Sequence, residues 1–295
     1  MRYLLTVFLA CLALPAAGEP PRVATDIPPV HSLVARIMDG AGVPDLILPS
    51  GADPHHHAMR PSEAAALEGA DIVFWIGAPL TPWLSDAIGT LAPDARLIGL
   101  LETEGTYLLN AKGEEGHNHS HDHGPIDPHA WLDPRNAKVW LAVIADALAE
   151  SDPENATLYR ANRDAALAET DALEAKVADA LVPLRDRSFA VYHDALGYLE
   201  SRFGLASDFA LIDSEAEGPS PRRIARLRDL AASRDVTLLF AERGANDALA
   251  AAVFEGNDVT VCIIDPLGAE LAPGPRLYWD TLTKLSETMN RCSRE

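Results

Sequence analysis

Cysteine is scarce. The 295 residues contain 3, and Cys11 falls inside an N-terminal apolar run, which leaves Cys262 and Cys292 as a single even pair. Basic residues are also short, with 24 Lys and Arg against 44 Asp and Glu for a net charge of -20 and a pI near 4.8. That imbalance excludes partners that demand basic patches, nucleic acid and anionic membrane surfaces. The acidity serves solubility, and its diffuse field favours cations only weakly at physiological salt. Long apolar runs are missing after residue 14, so no later segment reaches transmembrane length. Glycine and proline are missing between Pro153 and Pro183, and nothing in that interval stops a helix.

The N-terminus has the form of an export signal. Arg2 gives a positive start, residues 3–14 an apolar run, and Pro15-Ala16-Ala17-Gly18 a small-residue cleavage region. Residues 1–18 are therefore expected to be removed near Gly18. A lipoprotein site at Cys11 is the alternative, but Phe8-Leu9-Ala10 matches it poorly and the apolar run would be cut short. The mature chain is expected in an oxidising compartment, in bacteria the periplasm. There Cys262 and Cys292 pair as a disulfide contributing roughly 3 kcal/mol; a metal role would need thiolates that oxidation removes.

Short apolar runs alternate with helical patterns along the rest of the chain. Strands are expected at 22–25, 46–48, 71–76 and 96–100, with helices at 30–39, 61–68, 81–90 and 134–150 between and after them. After residue 183 the rhythm returns, with strands at 188–192, 208–212, 236–241 and 259–264 and helices near 195–203, 221–233, 245–255 and 278–291. The fold class is α/β: two lobes, residues 19–150 and 184–295, each a mostly parallel sheet flanked by helices. One long helix over 151–183 bridges them. Leu158, Ala161, Ala165, Ala168, Leu173, Val177 and Leu181 form the apolar stripe that would lie on both lobes.

The histidines come in two kinds. His117, His119, His121 and His123 alternate with Asn118, Ser120 and Asp122 between Gly116 and Gly124, a composition too polar to build a core. This loop, residues 113–124, is expected to gather a soft or borderline cation weakly. His129 instead is held between Pro128 and Trp131, ahead of a helix starting at Pro134, and can be a geometric ligand. His55 follows a strand in a loop, and His193 and Asp265 end theirs, the place where α/β sheets put ligands.

GADPHHHAMRPS (51–62), DPHAWLDP (127–134), VYHDALGYLE (191–200) and IIDPLG (263–268) together resemble the four metal-site motifs of the zinc-binding solute-binding proteins of ABC transporters. The likeness runs in order over essentially the whole mature chain. The resemblance implies His55, His129, His193 and Asp265 as the ligand set, with His56 and His57 at variable positions. Three neutral imidazoles and a carboxylate suit a borderline cation in a four-coordinate site. Manganese members carry a carboxylate as third ligand, so His193 favours zinc, although copper(II) and nickel(II) also accept imidazole. Asp133 and Asp194 are read either as groups that orient an imidazole or as cap and turn residues. Trp131, Tyr192 and Tyr198 are read as lobe packing.

Two departures from the family stand out. Glu242-Arg243-Gly244 replaces the common Glu-Pro-Gln type sequence, and Cys262 lies one strand later than the paired cysteine of some zinc members. The resemblance implies a monomeric receptor that captures Zn2+ as its transported ligand in an inter-lobe cleft. It would deliver the ion to an ABC transporter membrane permease, with no chemistry on a substrate. The rivals are a periplasmic zinc buffer or chaperone with no transporter, and a zinc-dependent hydrolase built on the His55-x-His57 pair.

Overall fold

A computed structural model describes residues 19–111, 126–212 and 220–294. The expected signal segment and the whole expected histidine loop, with His117, His119, His121 and His123, lie outside the described residues.

Two four-stranded parallel sheets share one topology. The first contains β1 (Val23–Thr25), β2 (Asp45–Leu46), β3 (Ile72–Trp75) and β4 (Arg96–Gly99) in the order β2-β1-β3-β4. The second contains β5 (Ala190–His193), β6 (Ala210–Ile212), β7 (Leu238–Glu242) and β8 (Thr260–Ile264) in the order β6-β5-β7-β8. Among the described residues the helices are α1 (Pro28–Met38), α2 (Pro61–Glu68), α3 (Pro82–Leu91), α4 (Pro134–Ser151), α5 (Ala156–Leu181), α6 (Gly197–Phe203), α7 (Pro221–Ser233), α8 (Asp247–Val253) and α9 (Leu277–Cys292). Five of them begin on proline, whose fixed φ and missing N–H suit the first helical turn. The fully apolar run Ile72–Trp75 is buried along its length, as a sheet covered on both faces requires.

The bridging helix starts later than expected. Ser151 ends α4, and the Asp152 carboxylate accepts from the Asn155 amide at 2.7 Å and the Tyr159 hydroxyl at 2.7 Å, so residues 152–155 turn the chain before α5. At 26 residues α5 extends roughly 39 Å. Its buried face is Tyr159, Ala166, Thr170, Leu173, Val177 and Leu181, whereas Ala161, Ala165 and Ala168 are exposed. In this alanine-rich half the apolar contrast is weak, and the Tyr159 bond to Asp152 sets the rotation instead.

Helix α5 packs on α1, α4 and α9, and one continuous apolar core takes residues from all four, from Val30 to Met289. Ion pairs border it: Arg36 with Glu169 at 2.9 Å, Lys138 with Glu174 at 2.9 Å, and Lys176 with Glu287 at 2.8 Å. The last helix belongs to both halves. The Tyr278 backbone N–H on α9 donates to Ser32 Oγ of α1 at 2.9 Å, and Trp279 Nε1 donates to Thr170 Oγ1 at 3.3 Å. Cys262 and Cys292 form the expected disulfide, with Cα atoms 6.3 Å apart, tying β8 to the end of α9. No helix among the described residues is long and apolar enough to cross a membrane.

Candidate metal centre

Ligands of parallel sheets collect at the carboxyl ends of the strands, where the strand order reverses. The loop after β2 carries His55. Its backbone N–H donates to Asp53 Oδ1 at 2.8 Å, and Trp83 Nε1 of α3 holds the preceding Pro54 carbonyl at 2.8 Å. His129 stands at the start of a 3-10 turn over Ala130–Leu132 and is buried. His193, also buried, is the last residue of β5.

These three side chains meet. One ring nitrogen from each of His55, His129 and His193 lies within 4.8 Å of the others, and the ring centroids are 5.6, 5.8 and 5.1 Å apart. Two lobes thus contribute to one point. His55 Nε2 is buried without a hydrogen-bond partner, a cost that coordination of a cation would remove. Burial first, then the neighbouring His129 and His193 rings, push the His55 imidazole down to about 4. It is therefore neutral at pH 7, with a lone pair to offer. Unfolded chains bind that proton near pH 6.5, so the empty fold loses stability as pH falls from there towards about 4.

Asp265 stands apart from this group. It follows β8 in the wall of a cavity of about 640 Å³ that also touches Asp53, Pro54, Tyr192, Glu242 and Arg243. Its Oδ1 accepts from the Ala269 N–H at 2.9 Å and its Oδ2 from the Glu270 N–H at 3.1 Å. The loop is nevertheless fastened to the centre, because Trp131 Nε1 donates to the Pro266 carbonyl across the lobes at 3.0 Å. Trp131 also packs its ring 5.4 Å from that of His129.

Other sequence candidates take structural places. His57 Nε2 lies 2.8 Å from Glu63 Oε2, and its ring packs on Trp83 at 5.1 Å. His56 is turned to Asp53 at 3.1 Å. Asp133 is a helix cap: its carboxylate accepts from the Arg135 N–H at 2.9 Å at the start of α4 and pairs with the Arg135 guanidinium. Tyr192 accepts from the Asn246 N–H at 2.9 Å ahead of α8. Tyr198 is fully buried and donates to the Asp127 carbonyl at 3.0 Å, joining α6 to the His129 strap.

The carboxylate that orients a ligand candidate is Asp127, to which the sequence alone gives no role. Its Oδ1 lies 2.7 Å from His129 Nδ1 and accepts the His129 backbone N–H at 3.0 Å. With the ring proton on Nδ1 facing that carboxylate, Nε2 is the free donor atom. The signal was present, an Asp two residues before a His at the head of the motif. Gly197 leaves the space for it, since a Cβ there would stand 2.8 Å from Asp127 Oδ2.

Comparison with known proteins follows the same lines. Residues 23–292 match the family described as zinc-uptake complex component A, periplasmic. The high-affinity zinc uptake system protein ZnuA of Paracoccus denitrificans is 36% identical over 98% of this chain and 96% of its own. The protein of the same name from Brucella abortus is 33% identical over 99% of both. A crystal structure of ZnuA superposes with a TM-score of 0.78 at 26% identity, covering 93% of this chain and all of that one. A zinc-bound ZnuA with residues 138–173 deleted gives 0.77 at 27% identity, covering 93% of this chain and 98% of that one. With a family match over nearly all the described residues and three histidines gathered between two like-ordered sheets, this chain belongs to the family of periplasmic zinc-uptake component A.

Proposed function

We propose that this chain is a high-affinity periplasmic receptor that captures Zn2+ between its lobes and hands it to the permease of an ABC transporter. The observation that carries the reading is the convergence of three imidazole nitrogens from two lobes, within 4.8 Å of one another. Three neutral nitrogen donors at that spacing fit a borderline cation at ligand distances near 2.0–2.1 Å. His55, His129 and His193 hold the ion. Asp265 completes a four-coordinate set by exchanging its two backbone hydrogen bonds for the metal. Because α1, α4, α5 and α9 share one core, loading is accompanied by local movement of the 265–270 loop and modest lobe tilting, without a wide hinge.

A hydrolase reading needs a second metal-side group at His57 or a general base beside an open position. His57 is instead occupied by Glu63 and Trp83. The mature chain is expected to bind one zinc per monomer, counted by competition titration and metal analysis. The His57→Gln variant should keep that stoichiometry and an affinity within about threefold of the parent, while losing about 1 kcal/mol of stability with the Glu63 contact. Zinc-dependent ester or phosphate hydrolysis abolished by His57→Gln would replace the receptor reading with the enzyme. Delivery separates a receptor from a buffer. Cells lacking the chain should lose zinc uptake under limitation, and unchanged uptake would leave the buffer.

A further inference from the structure

Three charged side chains outside the four motifs meet on the wall of the cavity beside Asp265. Glu270 lies on the loop after β8, Arg243 directly follows β7, and Lys284 belongs to α9. The Glu270 carboxylate takes a cation on each oxygen, the Arg243 guanidinium on Oε1 and Lys284 Nζ on Oε2, the latter at 2.6 Å. Its backbone is engaged as well. The Glu270 N–H donates to Asp265 Oδ2 at 3.1 Å, next to the Ala269 N–H on Oδ1 at 2.9 Å. One residue therefore links the Asp265 carboxylate to two elements of the fold, the end of β7 and helix α9.

In this arrangement Asp265 is not among the ligand atoms that converge with His55, His129 and His193. To reach an ion it must give up those two N–H donors, and the 269–270 backbone can yield only as far as the anchored Glu270 side chain allows. We propose that Glu270 is a positioning residue that, through Arg243 and Lys284, holds Asp265 in the unloaded arrangement and so opposes its transfer to the metal. The inference rests on the reading of Asp265 as the fourth zinc ligand. Both ion pairs are partly exposed, and such a pair is worth at most about fivefold in an equilibrium. Two on one carboxylate set the expected scale at about 3- to 10-fold. The sign separates this role from a plain field effect. Deleting a negative charge near a bound cation weakens binding, whereas deleting the anchor strengthens it.

The test uses the mature full chain, its Glu270→Ala and Asp265→Ala variants and the double variant, each titrated with zinc against a chelator and checked for fold by circular dichroism. Glu270→Ala keeps the backbone N–H and loses the anchor. It should bind zinc about 3- to 10-fold more tightly than the parent. In the Asp265→Ala background the same substitution should give no tightening, because the two residues act through one contact. An equal change in both backgrounds, or no change in either, would overturn the positioning role. Weaker binding confined to the parent background would show that the anchor serves the loaded form, and would overturn it too. Parent affinity in Asp265→Ala would remove Asp265 from the ligand set, and a parent chain that binds no zinc would remove the receptor reading itself. Either result would take this inference with it.

Discussion

Replacing His129 with alanine is expected to weaken zinc binding by roughly 100- to 1,000-fold. Structural zinc sites yield about 10–16 kcal/mol in total, so one of the four ligands proposed above carries roughly 3–4 kcal/mol, and each 1.4 kcal/mol is tenfold in Kd. His129 is the sharpest position for the test because it is buried and its Nδ1 is already committed to Asp127 at 2.7 Å. The site therefore arrives organised, and the loss falls on coordination more than on ordering. Asp127→Ala keeps the ligand and removes its orienter, for which about 10- to 100-fold is expected. Chelator competition gives both numbers, and circular dichroism separates loss of binding from loss of fold. Equal affinity in parent and His129→Ala would put the ion elsewhere.

Gly268→Ala should destabilise the chain by about 3 kcal/mol. Gly268 has φ +72°, a left-handed conformation that costs other residues roughly 1–2 kcal/mol. A Cβ there would also meet Thr281 Oγ1 and stand 3.1 Å from Leu277 Cδ2. Both neighbours lie in the first turns of α9 and are buried, so the space cannot open without moving the helix, and overpacking adds about 1–3 kcal/mol. The same turn carries Asp265 and the Pro266 carbonyl held by Trp131, so zinc affinity should fall together with the denaturation midpoint. A midpoint within experimental error of the parent would show that the turn relaxes freely and does not position Asp265.

Much of this architecture is legible in the sequence for one reason: proline and glycine mark its joints. The helix expected at 61–68 and that at 221–233 begin and end where α2 and α7 do, because Pro61 and Pro221 set their starts. Where punctuation is absent, rotation is lost. The stripe through Ala161, Ala165 and Ala168 missed the buried face of α5, since alanine on every side gives little contrast and a hydroxyl-to-carboxylate bond decides.

Contacts between distant parts of the chain were equally hidden. Nothing local in α9 says that Tyr278 meets Ser32, 246 positions away. At the site, the motifs located the strand ends but not the direction of each carboxylate. Asp127, Asp133 and Asp265 all precede or follow proline in similar turns, yet one orients an imidazole, one caps a helix and one holds backbone N–H groups. Only the packed structure separates these roles.

The most direct measurement is X-ray absorption at the zinc edge of the loaded mature chain, with the His55→Ala, His129→Ala and His193→Ala variants alongside. The account predicts a first shell of nitrogen and oxygen near 2.0–2.1 Å with the multiple scattering of three imidazoles, and two imidazoles in each variant that still binds. A zinc shell with fewer than three imidazoles in the parent, or one unchanged by all three substitutions, would contradict it.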